Sequence, residues 1–527
     1  TLAECTMILL LFIFTCFSLL LVPNDAAKIL AVFPVPSISH QVVFRALTQE
    51  LAKRGHEVTI ITPDPAFPKG ATPPNLTEID VHDISYNVWK EDVSTIPFGR
   101  KDVLLIEYEV IFKLMAKVVD VQLQDENVQK LIRDKNRKFD LIFAEAVVRP
   151  AVVYSHIFKA PVIMISSFGP WADNYDVVGA PTHTLLYANN MSRRFYNLTM
   201  WEKLVKLYYR FNIEMMQRRS YVEENKMLQK HFGKDLPPLQ EIYNNVAMFF
   251  LNLHPTFEGN QPVPPSVVHI GGIQQKSDKK LPDDLKSYLD SSKHGVIYIS
   301  FGTNVEPTAL PSEKIQVLVQ VLGRLPYDVL WKWNKDILPG QTENMRISKW
   351  LPQSDLLKHP KVKLFITQGG LQSTDEAINA GVPLIGLPMW GDQWFNVERY
   401  ERHNIGKNLD METLTEEIFE NAIKTVIGDE SYRRNVERLG RLLRDQPMPP
   451  LERAVWWTEH VLRHGGARHL RGPAANMSWA QYLELELVLV ILLGCLIVLT
   501  VVILILRFIF KNILRKFLTK TAKVKRS

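Results

Sequence analysis

Two hydrophobic rhythms alternate along most of this chain. Lys28-Ile-Leu-Ala-Val-Phe-Pro34 is a compact apolar run that predicts a buried strand. From about Ser39 to Arg54, Val43, Ala46, Leu47 and Leu51 share one helical face. Gly55 then stops the helix, and Glu57-Val-Thr-Ile-Ile-Thr62 predicts a second strand. Strand, helix and strand within about 35 residues make a βαβ unit. The pattern returns with strands at Phe139-Asp-Leu-Ile-Phe-Ala144 and Pro161-Val-Ile-Met-Ile-Ser166. Strands that are apolar throughout belong in parallel sheets covered on both faces. From about Met191 to Phe232, aromatics mix with charges, which predicts helices inserted into the first domain and covering a cleft. Prolines 255, 262, 264 and 265 mark a linker. Strand-helix alternation restarts at Gly295-Val-Ile-Tyr-Ile-Ser300 and continues through strands near 329–333, 362–366 and 383–387. The fold class is therefore α/β, with two doubly wound domains.

The two ends follow different rules. Met7 to Val22 is apolar and short, with Ala26 and Ala27 after it, the layout of a secretory signal peptide over residues 1–27. Leu487 to Leu506 is free of charge for 20 residues, enough to cross a hydrocarbon core of about 30 Å. Eight lysines and arginines and no acid follow in 507–527, which places that tail in the cytosol beside anionic lipid. Of the 62 basic residues, removing these eight leaves 54 against 56 acidic, so the folded part is not basic and nucleic acid is excluded as a partner. Lys523 and Lys525 resemble a lysine-based retrieval signal, which implies a type I protein of the endoplasmic reticulum membrane. Cys5 and Cys16 lie before or within the leader's apolar run and Cys495 in the membrane span, so neither disulfides nor thiol chemistry is expected in the part between them. Sequons at Asn75, Asn190, Asn197 and Asn476 fit lumenal exposure. The remaining boundaries are a first domain at 28–265, a linker at 266–285, a second domain at 286–450, and helices with a juxtamembrane segment at 451–486.

Candidate chemistry gathers in the second domain. Ser300-Phe-Gly-Thr303 and Gln368-Gly-Gly370 each follow a strand and precede a helix. Small residues at such turns let backbone N–H groups and a helix N-terminus approach a phosphate, so the pair predicts a diphosphate site. No His/Asp/Glu cluster has metal-ligand spacing.

The segment from Trp350-Leu-Pro-Gln353 through Phe365-Ile-Thr-Gln-Gly-Gly-Leu-Gln-Ser-Thr-Asp-Glu376 to Gly391-Asp-Gln393 resembles the donor-binding signature of the UDP-glycosyltransferases. Its wording is similar to the insect branch. The resemblance implies a GT-B fold, two Rossmann-like domains facing a cleft, and direct displacement with inversion, without an obligatory metal or other cofactor. It implies that Trp350 stacks on uracil, Gln353 bonds the base or ribose, and Glu376 takes the ribose hydroxyls. Ser300, Thr303, Gln368 and Gly370 would surround the diphosphate, with Ser373 and Asn396 nearby, while Asp392 and Gln393 hold the sugar. Vertebrate members carry histidine at the position of Gln368, so a cationic contact to the leaving group is absent here.

His40, after the first strand, stands where the family places its general base, and Glu145 where it places the orienting carboxylate. Asp140 is the alternative partner. Imidazole titrates near the working pH, as such a base requires. The expected reaction moves a hexose, glucose by the insect likeness, from a UDP-sugar to a hydroxyl of a small lipophilic acceptor such as a phenol, flavonoid or steroid, in detoxification or metabolite conjugation. The acceptor pocket is expected from Phe98 to Met115, Trp171 to Tyr187 and the helices around Tyr208. UDP-glucuronic acid as donor and a non-catalytic membrane-held binding subunit stay open. A cell-surface receptor conflicts with the Lys523 and Lys525 tail.

Overall fold

The computed structural model describes residues 26–171, 173–275, 279–303 and 310–524, with side chains as far as 518. The leader expectation up to residue 25, the side chain of Lys523, and Lys525 lie outside the described residues. The chain divides into two units at Gly472/Pro473.

The first unit holds two parallel sheets. The first comprises β1 (Lys28–Val32), β2 (Glu57–Thr62), β3 (Leu76–Asp80), β4 (Leu141–Glu145), β5 (Val162–Ser166), β6 (Val246–Leu251) and β7 (Val267–His269), in the order β3-β2-β1-β4-β5-β6-β7. The second comprises β8 (Val296–Ser300), β9 (Asp328–Lys332), β10 (Met345–Ser348), β11 (Val362–Thr367), β12 (Leu384–Gly386) and β13 (Gly406–Asn408), in the order β10-β9-β8-β11-β12-β13. Both orders are the doubly wound Rossmann arrangement. The central strands β1, β4, β5, β8 and β11 are buried almost throughout, because helices cover both faces.

Strand order reverses between β1 and β4 and again between β8 and β11. In such sheets ligands bind beyond the carboxyl ends of the strands at the reversal. Val32 pairs with Ala144 and Thr367 with Ser300, so the segments that follow these strands emerge side by side.

Helix Ile38–Lys53 (α1) follows β1 and buries Val43, Phe44, Leu47 and Leu51. Leu104–Gln122 (α2) packs on the other face of the first sheet, with Leu114 and Val118 fully buried. Met200–Phe232 (α3) buries Tyr221, Glu224 and Leu228 in its C-terminal half, where Glu224 meets Arg149 at 2.8 Å. Leu371–Ala380 (α4) follows β11, and Gln393–Arg402 (α5) follows the loop after β12. Pro450–His464 (α6) returns to the first lobe and buries Ala454, Val455 and Val461 against the cluster that contains Ile29, Phe44 and Val58.

Two expectations need correcting here. Residues 267–269, assigned to the linker, form the edge strand β7, paired with β6. The predicted helical insertion is one long helix, α3, and none of its residues lies on the cleft wall; Met191, ahead of it, does.

The second unit carries Leu485–Val524 (α7), of which Leu485–Leu518 is long and apolar enough to cross a membrane.

Candidate active site

A cavity of about 550 Å³ opens between the two lobes, walled by the segments that leave the carboxyl ends of both sheets. His40, at the start of α1, lines it from the first lobe. Its Nδ1 lies 2.6 Å from Glu145 Oε1, and its ring meets Phe168 edge-on at 5.5 Å. With Nδ1 engaged, Nε2 is the nitrogen left for the cavity. Glu145, at the end of β4, is buried behind the imidazole, and its Oε2 accepts from the Val35 N–H at 3.1 Å. That backbone bond fixes the carboxylate, and the carboxylate fixes the ring. The alternative partner Asp140 lies at the opposite end of the same strands, where its carboxylate accepts from the Lys28 N–H at 2.7 Å. It plays no part in the cleft.

From the second lobe, Ser300, Thr303, Trp350, Gln353, Gln368, Gly370, Ser373, Glu376, Asp392 and Gln393 all reach the cavity wall. Trp350 is 67 % exposed, so its indole offers a free face. Lys332 stands 5.1 Å from the ring centre and donates to the Gly302 carbonyl at 2.7 Å. Burial lowers the lysine's pKa.

Gln353 accepts from Tyr298 OH at 2.9 Å and donates to Ser373 Oγ at 2.9 Å and Glu376 Oε2 at 2.7 Å. Its amide is thus committed within the protein and aims Glu376, whose carboxyl is pushed up by burial and pulled down by Gln353. Gly302 takes a φ of +73°, and a Cβ there would stand 2.3 Å from Gln368 Nε2. The bare glycine is what lets the Gln368 side chain lie along this turn. Gln368 Oε1 has no hydrogen-bond partner among the described residues. Helix α4 begins at Gly370 without a side-chain cap, which leaves its first N–H groups open toward the cavity.

Asp392 sits low enough in the cleft for burial to push its carboxyl up to about 6, while the hydrogen bond from Asn396 pulls it back. Gln393 Oε1 accepts from the Met389 and Trp390 N–H groups at 2.9 and 3.2 Å, so its carbonyl end is fixed.

Asn396 acts from behind the cavity wall. It is buried off the wall, donating to Gly369 O and to Asp392 Oδ2, each at 2.9 Å, so it braces Asp392. Asn190 is only 4 % exposed, and its amide nitrogen has no solvent path, so a glycan there is incompatible with the fold. Asn75, Asn197 and Asn476 are exposed.

Ile111, Met115 and Trp171 line the cavity as the acceptor-pocket expectation requires, joined by Trp89, Phe168 and Trp390. Tyr208 is exposed and off the wall. Lys332 and Gln372 are the residues that sequence reasoning missed. Lys332 ends strand β9 beside the strand-order reversal, a placement that would have singled it out. Gln372 donates across the cleft to Ser167 O at 3.0 Å, which no spacing predicts. Among the described residues, no group of three or more His, Cys, Asp or Glu is arranged to hold a metal ion.

Two Rossmann-like lobes that meet at such a cleft define the GT-B fold. Solved structures agree on the fold. The glycotransferase of kitacinnamycin superposes with a TM-score of 0.56 at 17 % identity, covering 83 % of this chain and 98 % of that one. Arabidopsis thaliana UGT89C1, solved in complex with UDP-L-rhamnose, gives 0.55 at 15 % identity, covering 83 % and 99 %. The family model described as UDP-glucoronosyl and UDP-glucosyl transferase matches residues 27–524. An ecdysteroid UDP-glucosyltransferase of Spodoptera littoralis nuclear polyhedrosis virus is 36 % identical over 495 residues, 90 % of this chain and 96 % of that protein. UDP-glucosyltransferase 2 of Dactylopius coccus is 33 % identical over 488 residues, 91 % and 92 % of the two chains. The chain belongs to the UDP-glucuronosyl and UDP-glucosyl transferase family and is a UDP-glycosyltransferase.

Proposed function

We propose that this enzyme transfers glucose from UDP-glucose to a hydroxyl of a small lipophilic acceptor, with inversion, and with His40 as general base. The observation that carries the reading is the His40–Glu145 pair, 2.6 Å apart, with His40 on the same cleft wall as Asp392 of the facing lobe.

Trp350 stacks on uracil, and Glu376, aimed by Gln353, takes the ribose hydroxyls. Ser300, Thr303, Gln368, Gly370 and Ser373, with the N-terminus of α4, surround the diphosphate. Asp392 and Gln393 hold the sugar. His40 Nε2 removes the acceptor proton as the acceptor oxygen bonds to the anomeric carbon. The bond from that carbon to the diphosphate oxygen breaks, and UDP departs with its electron pair. Open N–H groups of α4 and the Gln368 amide stabilise the charge that develops there. Glu145 stabilises the imidazolium that forms. Every step is carried by the chain's own groups, so no metal is invoked.

Glucose is favoured over glucuronic acid by the charge at the sugar end, where the Asp392 carboxylate would repel a second carboxylate. Among the described residues, the lysines of the wall are Lys332, beside Trp350, and Lys279, whose backbone is held by Asp355 at the base end. The named activity of the viral and insect relatives agrees. The acceptor side, formed by Trp89, Ile111, Met115, Phe168, Trp171 and Trp390, suits flat apolar bodies such as phenols, flavonoids or steroids. Conjugation of such compounds, in detoxification or metabolism, follows. The apolar first part of α7 and the run of lysines and arginines that follows Leu506 in the sequence support a type I membrane protein of the endoplasmic reticulum with its cleft in the lumen.

Membrane fractions containing wild-type or His40→Ala enzyme, each given labelled UDP-glucose or UDP-glucuronic acid and one phenol, provide the test. Expected are glucoside from the wild type, little glucuronide, and loss of glucoside in His40→Ala with UDP affinity retained. Equal loss of turnover and UDP affinity would reduce His40 to a structural residue, and efficient glucuronide formation would overturn the donor.

A further inference from the structure

The first lobe reaches across the cleft and grips one peptide of the second. Glu107, on α2, is fully buried. Its Oε1 accepts from Arg193 Nη2 at 2.6 Å, and its Oε2 accepts from the Gly391 N–H at 3.3 Å. Arg193 Nη1 completes the ring by donating to the Gly391 carbonyl at 3.4 Å, while the guanidinium lies 5.1 Å from the Trp394 ring centre. Gly391 is thus held at its N–H by the carboxylate and at its C=O by the guanidinium. It has a φ of +63° and stands directly before Asp392 and Gln393. A neighbouring clasp, from the Gly99 N–H to Met389 O at 2.7 Å, holds the start of the same loop.

Taking a carboxylate and a guanidinium out of water is costly, and apolar side chains would hold two lobes together with less penalty. What a charged pair with fixed hydrogen bonds adds is a single register. Slipping the loop by one residue would leave the pair intact but strip Glu107 Oε2 and Arg193 Nη1 of their bonds to the Gly391 peptide, polar groups buried without those partners. Both residues of the pair belong to the first lobe, whereas the peptide they hold belongs to the second. The loop is therefore fully braced only with the lobes together.

We infer that Glu107 and Arg193 are positioning residues for the sugar-holding loop, making donor-sugar selection a property of the assembled cleft and not of the second lobe alone. The inference rests on the reading of Asp392 and Gln393 as the sugar-holding residues. It places the choice of sugar after nucleotide docking. UDP meets Trp350 and α4 without the clasp, and the sugar is tested once the first lobe has fixed Gly391. Displacing the loop by about 1 Å would cost roughly 10²-fold in turnover.

The test compares wild type, Glu107→Gln, Arg193→Lys and the double variant Glu107→Gln/Arg193→Met. For each, kcat and KM are measured with UDP-glucose and UDP-galactose, and UDP affinity by calorimetry. Expected are UDP dissociation constants within about twofold of wild type, and kcat/KM for UDP-glucose lowered roughly 10- to 10²-fold. The preference for glucose over galactose shrinks, and the double variant falls no further than Glu107→Gln alone, because both residues act through one peptide. If Glu107→Gln leaves Arg193 unpaired and does not fold, the double variant, which buries no lone charge, carries the test. UDP affinity falling in step with turnover, or an unchanged sugar preference in every folded variant, would overturn the inference. Asp392→Asn separates the two layers. Loss of sugar preference there with retention in the clasp variants sinks this inference alone; retention in Asp392→Asn sinks the sugar-holding role and the inference with it.

Discussion

Asp392 has its carboxyl pushed up to about 6 by burial, against an ordinary value near 3.9. Between those two values the folded protein keeps a proton that the unfolded chain releases. The group's contribution to stability is therefore fully present at low pH and is lost as pH rises through about 6. At neutral pH the ionised carboxylate opposes folding, and it is this form that the proposed sugar-holding role requires. Asp392→Asn should raise the apparent stability at pH 7.5 by about 1–3 kcal/mol and lower kcat/KM for the donor. Thermal denaturation at pH 7.5 and pH 5 checks the sign, since the gain should shrink at the lower pH. A variant equally stabilised at both would trace the effect to packing. Gln368 shows the same economy in another form. Its Oε1 is buried without a hydrogen-bond partner among the described residues, while its Nε2 lies over the Gly302 turn, as suits a group that waits for a ligand.

The turn that leads from β11 into α4 is the element on which the proposed donor site depends. Gly369 has a φ of +88°, and a Cβ there would stand 2.2 Å from Val397 Cγ2 and 3.2 Å from Gln393 O. Gly369→Ala should lose about 1–3 kcal/mol to backbone strain, with a further loss of UDP affinity as the α4 N-terminus shifts; chemical denaturation and calorimetry measure the two separately. Strands β1, β2, β4, β5, β8, β9, β11 and β12 were legible because a central parallel strand is apolar along its whole length. β3, β10 and β13 were not. Leu76–Asp80 is partly exposed, Met345–Ser348 buries only its first residue, and Gly406-Lys-Asn408 has no apolar side chain at all. Edge strands satisfy one neighbour, and one neighbour leaves little periodicity. β6 carries the full signature in Val246-Ala-Met-Phe-Phe-Leu251, but taking the proline cluster beyond it as the lobe boundary hides both it and β7. That the predicted second-lobe residues share one cavity was readable because one stretch of some 45 residues carries most of them. The clasp was not, since Glu107 and Arg193 are 86 positions apart and Gly391 a further 198.

At the scale of the molecule, the two lobes are joined by two crossings of the chain. After the second crossing, α6 packs back onto the first lobe. Arg54 Nη2 reaches both oxygens of Glu452 at 2.7 Å, and Ala454, Val455 and Val461 complete the core between β1, β2 and α1. Arg471 then donates to the carbonyls of Asn244 and Val177, ending the first unit at Gly472. The ion pair is exposed and contributes little; the buried apolar face carries the stabilisation, at about 1.5–3 kcal/mol for each fully buried valine. The first lobe therefore cannot close its core from its own contiguous sequence. A chain stopped after Gly472 should retain the kcat/KM of the full chain, because every residue of the cleft lies before that point. A chain stopped after Pro449 keeps every cleft residue too, yet should be recovered unfolded or aggregated, its apolar seat for α6 laid open. Soluble yield, circular dichroism and turnover of the two truncations decide the matter. Should the shorter chain remain folded and active, α6 would be a passive connector, and the stability of the first lobe would have to come from its own two faces alone.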